Sequence, residues 1–297
     1  RSAPEAHAAL DLHLGALLTS SSKSVQSSTA ALIKRLDYGN AAERVTQLAL
    51  DPKTSAAVRA SSLTAMAALK APELTKAINL GLKSDSPQLR MAAREAILNP
   101  SSQIEQVQWA SRAGTLAEKQ HAIALAARST SSQSQTLMKS WTNAMIKGTA
   151  PADLAHDIYI AASNHEATSE EVKKYTSTLP ADQGGPLALA LHGGNPEKGR
   201  EIFHTSITGQ CMRCHRVGKN KSTGIAAAEV GPDLTGVGSR RDREYLLRSL
   251  FNPSADIDPA QLRDGQPANV SVMPPMAGLL KPKEIRDLVA YLASLKE

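Results

Sequence analysis

From Pro4 to about Ala181 the chain alternates Ala- and Leu-rich stretches, apolar at helical spacing, with short breaks of Ser, Thr, Asn, Asp, Pro and Gly. Arg44 to Leu50 reads as a helix that Asn40 caps and Asp51-Pro52 ends. Val58-Arg59-Ala60 opens the next, with Leu63, Met66, Ala67 and Leu69 along one stripe. Ala71-Pro72-Glu73 starts a third, running through Leu74, Ala77, Ile78 and Leu82.

These breaks carry a self-similarity. Leu50-Asp51-Pro52-Lys53 leading to Val58-Arg59-Ala60 is echoed about 31 residues later by Leu82-Lys83-Ser84-Asp85 leading to Leu89-Arg90-Met91. A weaker third copy is Glu118 to Ala122. A short turn followed by an apolar-Arg helix start resembles HEAT repeats, a resemblance that implies stacked helix pairs forming a solenoid. The period is shorter than that family's, and an irregular helical bundle is the alternative. Asp182 to Pro186 and then His192 to Asn195 break the pattern. The expected domains are therefore residues 1–192, a helical repeat domain, and residues 193–297, a second all-α domain. Asn195 is placed to cap a helix with Pro196 at its first position and Ile202 and Phe203 along it. Ile285, Leu288, Val289, Leu292 and Leu295 mark a last amphipathic helix.

Composition supports helices throughout. Aromatic residues are 3% of the chain, too few for sheets built on aromatic and β-branched side chains. The net charge of +6 splits evenly about Asn195, and no dense basic run with interleaved aromatics points to nucleic acid. No apolar run reaches the roughly 20 residues needed to cross a bilayer. The sequence opens on Arg1-Ser2-Ala3-Pro4 without an initiator Met or a signal-like run, so a removed signal or a longer parent chain is expected.

Candidate chemistry is nearly absent before Gly193. His121, His156 and His165 read as surface or core-edge histidines, and Trp109 and Trp141 as packing anchors. Glu170 and Glu171 beside Lys173 and Lys174 read as a solvated face. The informative stretch is Cys211-Met212-Arg213-Cys214-His215. Two thiols three positions apart can add across both vinyl groups of one porphyrin, and the adjoining imidazole then reaches the iron. A redox dithiol would not need His215, and structural zinc would need two more ligands. Cys211 and Cys214 are the only cysteines, so one covalently attached haem c is expected. Such attachment normally takes place outside the cytoplasm, which points to the periplasm or an equivalent compartment.

Residues 193–297 resemble a class I cytochrome c, and more closely the haem-binding domain at the C-terminus of multidomain proteins of Planctomycetes and Verrucomicrobia. The resemblance rests on Gly199 to Phe203, Cys211 to His215, Gly231-Pro232-Asp233-Leu234, Asn252-Pro253-Ser254, Met273-Pro274-Pro275-Met276 and Ile285 to Leu292. It implies that Pro232 offers its carbonyl to His215, and that Met273 is the second axial ligand, with Met276 as the alternative and His204 or His192 as rivals. It also implies that Gly199 lets the first helix approach the last, with Phe203 and Tyr291 filling the crossing. Two departures stand out. The segment from Ala255 to Val272 is short for the family, and no Trp follows Gly193 to bind a propionate, which leaves Arg240, Arg241, Arg243 and Arg248 as candidates.

An electron carrier with His/Met ligation is therefore the leading expectation, and not an enzyme. It would take electrons from a redox partner or a fused dehydrogenase domain and pass them to a respiratory carrier. Arg213, Arg216, Lys219 and Lys221 would form a basic rim, and the loop from Lys219 to Glu229 is expected to be exposed. The alternative is a protein-interaction scaffold in which the solenoid is the working part and the haem domain a tethered redox module.

Overall fold

The computed structural model describes residues 3–36, 38–218, 231–257 and 269–296. Among these the chain forms α1 (Ala3–Leu18), α2 (Lys23–Leu36), α3 (Ala42–Leu50), α4 (Ala56–Leu69), α5 (Leu74–Leu82), α6 (Pro87–Glu95), α7 (Pro100–Ala113), α8 (Leu116–Arg128), α9 (Ser132–Ile146), α10 (Ala155–Ser163), α11 (Ser169–Thr176), α12 (Pro196–Thr205), α13 (Val237–Arg240), α14 (Arg243–Phe251) and α15 (Pro282–Ser294). No strand occurs among the described residues, and a single isolated parallel bridge pairs Arg216 with Asp233. The all-α class expected from composition is what the chain adopts.

Two compact units divide at Thr136 and Leu137. In the first, α3 packs on α4, α5 on α6 and α7 on α8, and the second helices α4, α6 and α8 touch in succession. The repeat in the sequence has a local cause here. Ser55, Ser86 and Thr115 each cap one of those second helices, accepting from the backbone N–H of Val58, Leu89 and Glu118 respectively. Arg59 and Arg90, the matching arginines of the first two copies, each donate to a preceding carbonyl, Ala49 at 3.1 Å and Ser84 at 2.7 Å. Each pair leaves an apolar face that its neighbour covers, so Leu48, Leu63, Met66, Ala77, Leu89 and Ala93 belong to one continuous core.

Three local expectations are corrected. Asn40 lies inside a 3₁₀ turn, Gly39–Ala41, and α3 starts after it with no side-chain cap. The third helix starts at Leu74 instead of Ala71, because Glu73 takes a left-handed conformation at φ 60°. Trp109 is 48% exposed and lies under the Arg94 guanidinium, 5.2 Å from the ring centre, so it shields a charge and is not buried between helices.

The second unit contains the pattern break near Gly193. Before it the chain continues as 3₁₀ turns at Ala181–Gln183 and Gly185–Ala190, with Gly184 left-handed between them. The latter turn packs on both α10 and α15. His156 of α10 is fully buried, and burial together with nearby Arg286 pulls its pKa down to about 4; it is a core residue, further inside than the sequence suggested. The α12–α15 crossing is as close as expected, since a Cβ on Gly199 would come within 2.0 Å of the Asp287 carbonyl oxygen. Phe203 and Tyr291 meet beside it with ring centres 5.6 Å apart.

Candidate functional site

Asn195 caps α12 by accepting from the N–H of Glu197 and Lys198, with Pro196 at the first position. Beyond α12 the chain turns through Ser206, whose hydroxyl accepts the Gly209 N–H at 3.0 Å. Gln210 enters the left-handed region at φ 45°, and Cys211–Arg213 then forms a 3₁₀ turn. The His215 N–H closes that turn onto the Cys211 carbonyl at 2.9 Å. Both thiols are free and partly buried, and burial pushes the Cys211 thiol up from its ordinary pKa.

The imidazole is held from the other side. His215 Nδ1–H donates to the Pro232 carbonyl at 3.0 Å, which selects the tautomer and leaves Nε2 as the basic nitrogen. Burial lowers the His215 pKa, the Pro232 contact opposing it, a direction that favours the neutral ring a metal ligand needs. Gly231 is required by distance alone. A Cβ there would lie 2.7 Å from His215 Cε1 and 2.9 Å from the Cys214 carbonyl oxygen. Gly231→Ala is therefore expected to lower the stability of the second unit by about 1–3 kcal/mol, read as a reduced urea midpoint at unchanged slope.

Across the core the Asn252–Ser254 turn meets the methionine segment. The Ser254 hydroxyl accepts from Ser271 N–H at 3.0 Å and the Ser271 hydroxyl from Met273 N–H at 3.1 Å. The two methionines differ in surroundings. Met276 is 4% exposed, inside the cluster of Phe203, Leu246, Leu250 and Ile285, whereas Met273 is partly buried and packs on that cluster from its edge, as do Cys211, Leu234 and Tyr245. His204 donates or accepts at the Tyr291 hydroxyl, 3.3 Å away, and is engaged in the α12–α15 crossing.

The arginines named from the sequence all have partners. Arg240 donates to the carbonyls of Thr235 at 2.6 Å and Asp233 at 3.2 Å, Arg243 to that of Leu191 at 3.1 Å, and Arg248 to the Asp256 carboxylate at 2.5 Å. Arg241 stacks over the Tyr245 ring at 4.5 Å. Arg213 pairs with the Gln210 side chain and Arg216 with Asp233, so the charge of Arg216 is neutralised where a basic rim was expected. Lys219, Lys221 and the loop to Glu229 lie outside the described residues. Sequence reasoning gave Asp233 no role of its own and passed over Thr235, although Asp-Leu-Thr directly after a proline is a signal for a side-chain-closed turn. The Asp233 carboxylate accepts the Thr235 N–H at 2.8 Å and hydroxyl at 2.6 Å. These contacts, ahead of Arg216, hold its pKa at about 2.

Paired thiols, an imidazole with Nδ1 committed and Nε2 available, and an apolar edge carrying a thioether fit a covalently attached haem. They do not fit zinc: among the described residues no three His, Cys, Asp or Glu side chains are grouped to hold a metal ion. Nor, among those residues, is any helix long and apolar enough to cross a membrane. Comparison with known proteins agrees with the geometry. Residues 196–296, about a third of the chain, match the family model described as Cytochrome c, which supports a cytochrome c domain carrying covalent haem c for electron transfer. No solved structure matches the chain.

Proposed function

We propose that this protein is an electron carrier with one haem c, bound through Cys211 and Cys214 and ligated by His215 and Met273, working in the periplasm or another compartment outside the cytoplasm. The observation that carries the reading is the 3.0 Å hydrogen bond from His215 Nδ1–H to Pro232 beside two free thiols. When bound, the haem supplies a one-electron couple at iron. The chain supplies the rest. Pro232 orients the imidazole and raises its basicity. Met273 is favoured over Met276 because the latter fills the core, while the stiff Pro274-Pro275 pair follows Met273 at the edge of the cluster. A soft thioether favours the reduced state and raises the potential. A redox partner or fused dehydrogenase would supply electrons, and a respiratory carrier would accept them. The stacked helix pairs of the first unit are read as HEAT-like. The scaffold alternative, with a redox module tethered at Gly193, draws no support from the packing of Gly185–Ala190 on α10 and α15.

The test is an optical spectrum with a redox titration of the haem-loaded full chain. Expected are a low-spin ferric state with a Met-to-iron band and a positive potential. Met273→Ala should abolish that band. Met276→Ala should keep it while lowering stability by about 2–5 kcal/mol, the usual cost of truncating a core methionine. A low-spin spectrum unchanged in Met273→Ala would move the assignment to Met276 or a histidine. A high-spin wild type that binds carbon monoxide avidly would replace electron transfer with gas sensing or catalysis.

A further inference from the structure

The Pro232 carbonyl is worth only as much as its position, and proline has no N–H with which to anchor itself. The neighbours must do so. On one side Gly231 N–H donates to the Cys214 carbonyl at 3.0 Å. On the other, Asp233 and Leu234 meet Arg216, the residue directly after His215. Leu234 N–H donates to the Arg216 carbonyl at 2.8 Å, and Asp233 Oδ2 accepts both Nε and Nη2 of Arg216, at 2.9 and 2.6 Å. The remaining oxygen, Oδ1, takes the two Thr235 donors, and the Thr235 hydroxyl in turn accepts Gly218 N–H at 2.7 Å. Arg240 closes the outside of the turn by its bonds to the Thr235 and Asp233 carbonyls. One carboxylate thus joins residues 216–218 to residues 233–235, two segments that no common helix holds together.

Building on the ligand assignment proposed above, we infer that Asp233 is a positioning residue for His215: with Arg216 it clamps the two segments that flank the His215–Pro232 hydrogen bond, and so sets the orientation of the ring that faces iron. The carboxylate's hydrogen bonds go to Arg216 and Thr235 and not to the imidazole. Its effect passes through the backbone on either side of Pro232, and the interplay of side chain and bridge replaces the regular secondary structure that would otherwise fix such a contact.

A surface ion pair without this role would act on the iron only through charge, and the two halves of the pair then predict opposite results. Asp233→Asn removes a negative charge and Arg216→Gln a positive one. A loosened His215–Pro232 bond makes the imidazole less basic in either variant, which disfavours ferric iron and raises the potential. Asn retains an acceptor for Thr235, so the turn itself has a partner in the variant. The primary measurement is hydrogen exchange of the His215 Nδ1–H, followed by NMR on the full chain labelled at histidine. Exchange is expected to speed up in both variants, by about two- to fivefold because the pair is more than a third exposed, with the double variant no faster than either single one. The potential of Arg216→Gln should rise despite the lost positive charge. Unchanged exchange in both variants, with potentials that follow charge, would overturn the clamp. Covalent haem content of the wild type tests the carrier reading separately: its absence would sink that reading, while the exchange rates of the full chain would still decide the clamp.

Discussion

Replacing Asp157 with Ala is expected to lower the stability of the second unit by about 3–5 kcal/mol, the range found when one member of a buried ion pair is removed. Arg286 lies on α15 and is 1% exposed, and its Nη1 donates to Asp157 Oδ2 at 2.5 Å. Its Nε has no hydrogen-bond partner, so Asp157 is the anion that makes burial of this guanidinium tolerable. The neighbouring His156 offers no replacement, since both its ring nitrogens are buried without partners and burial keeps it neutral. The reciprocal change, Arg286→Met, should cost less, because the Asp157 side chain is 15% exposed and can recruit water. The double variant Asp157→Ala with Arg286→Met should recover most of the loss, since it removes the charge along with its partner. Urea melts of the full chain measure all three, and a double variant as unstable as Asp157→Ala alone would show that packing and not charge is at stake. Because α15 also carries Tyr291 and Asp287, whose carboxylate accepts the Asn195 N–H at 2.8 Å, the loss should extend to the α12–α15 crossing. Haem absorbance and far-ultraviolet dichroism should then report the same lowered midpoint for that unit.

The parts of this molecule that were legible in the sequence are those encoded by neighbours in the chain. Cys211 to His215 is one such case: the turn over Cys211–Arg213 and its closure by the His215 N–H on the Cys211 carbonyl are set within five residues. Asn195-Pro196 states its helix start in two letters, and Gly199 with Phe203 and Tyr291 states a close crossing through residue size. Pro232 was reachable through the resemblance to cytochromes c, and the hydrogen bond it implies is present. Charged residues failed most often, for one physical reason. A charge on a helix reads as solvated by default, and only tertiary structure can reverse that. Arg286 and Asp157 are 129 residues apart, and neither shows its partner locally. Arg216, read as part of a basic rim, is instead neutralised by Asp233, 17 residues on. The Gly- and Pro-rich break near Gly193 is a local event of the legible kind: it lies within the second compact unit and just ahead of residue 196, where the cytochrome c match begins.

Glu118→Gln should have an effect of similar size in the first unit, about 3–5 kcal/mol at neutral pH, and its pH dependence identifies the cause. Glu118 begins the third copy of the helical repeat and was unremarkable there, yet it is 0% exposed and two arginines converge on it. Oε1 accepts from Arg90 Nε at 2.8 Å and Arg94 Nη2 at 2.7 Å, and Oε2 from Arg90 Nη2 at 2.7 Å and Thr115 N–H at 3.1 Å. Arg94 is itself fully buried, with Nε and Nη1 unpartnered, so a neutral amide at position 118 would leave two guanidinium groups facing each other with no anion between them. Gln would also turn two N–H donors toward a site made only of donors. Hydrogen bonding from Arg90, opposed by burial and reinforced by Arg94 and Thr115, holds the Glu118 carboxyl well below its ordinary 4.5. A pKa depressed on folding stabilises above the unfolded value and loses that stabilisation as pH falls toward the folded one. The wild type should therefore weaken progressively below about pH 4.5, and the gap between it and Glu118→Gln should narrow over the same interval. Glu95, held at about 2 by His121 and then Arg128, gives the variant a residual acid sensitivity of the same sign. Urea melts from neutral pH downward decide the matter: a gap that stays constant through the acid range would mean that the carboxylate's charge contributes nothing and that only its shape is needed.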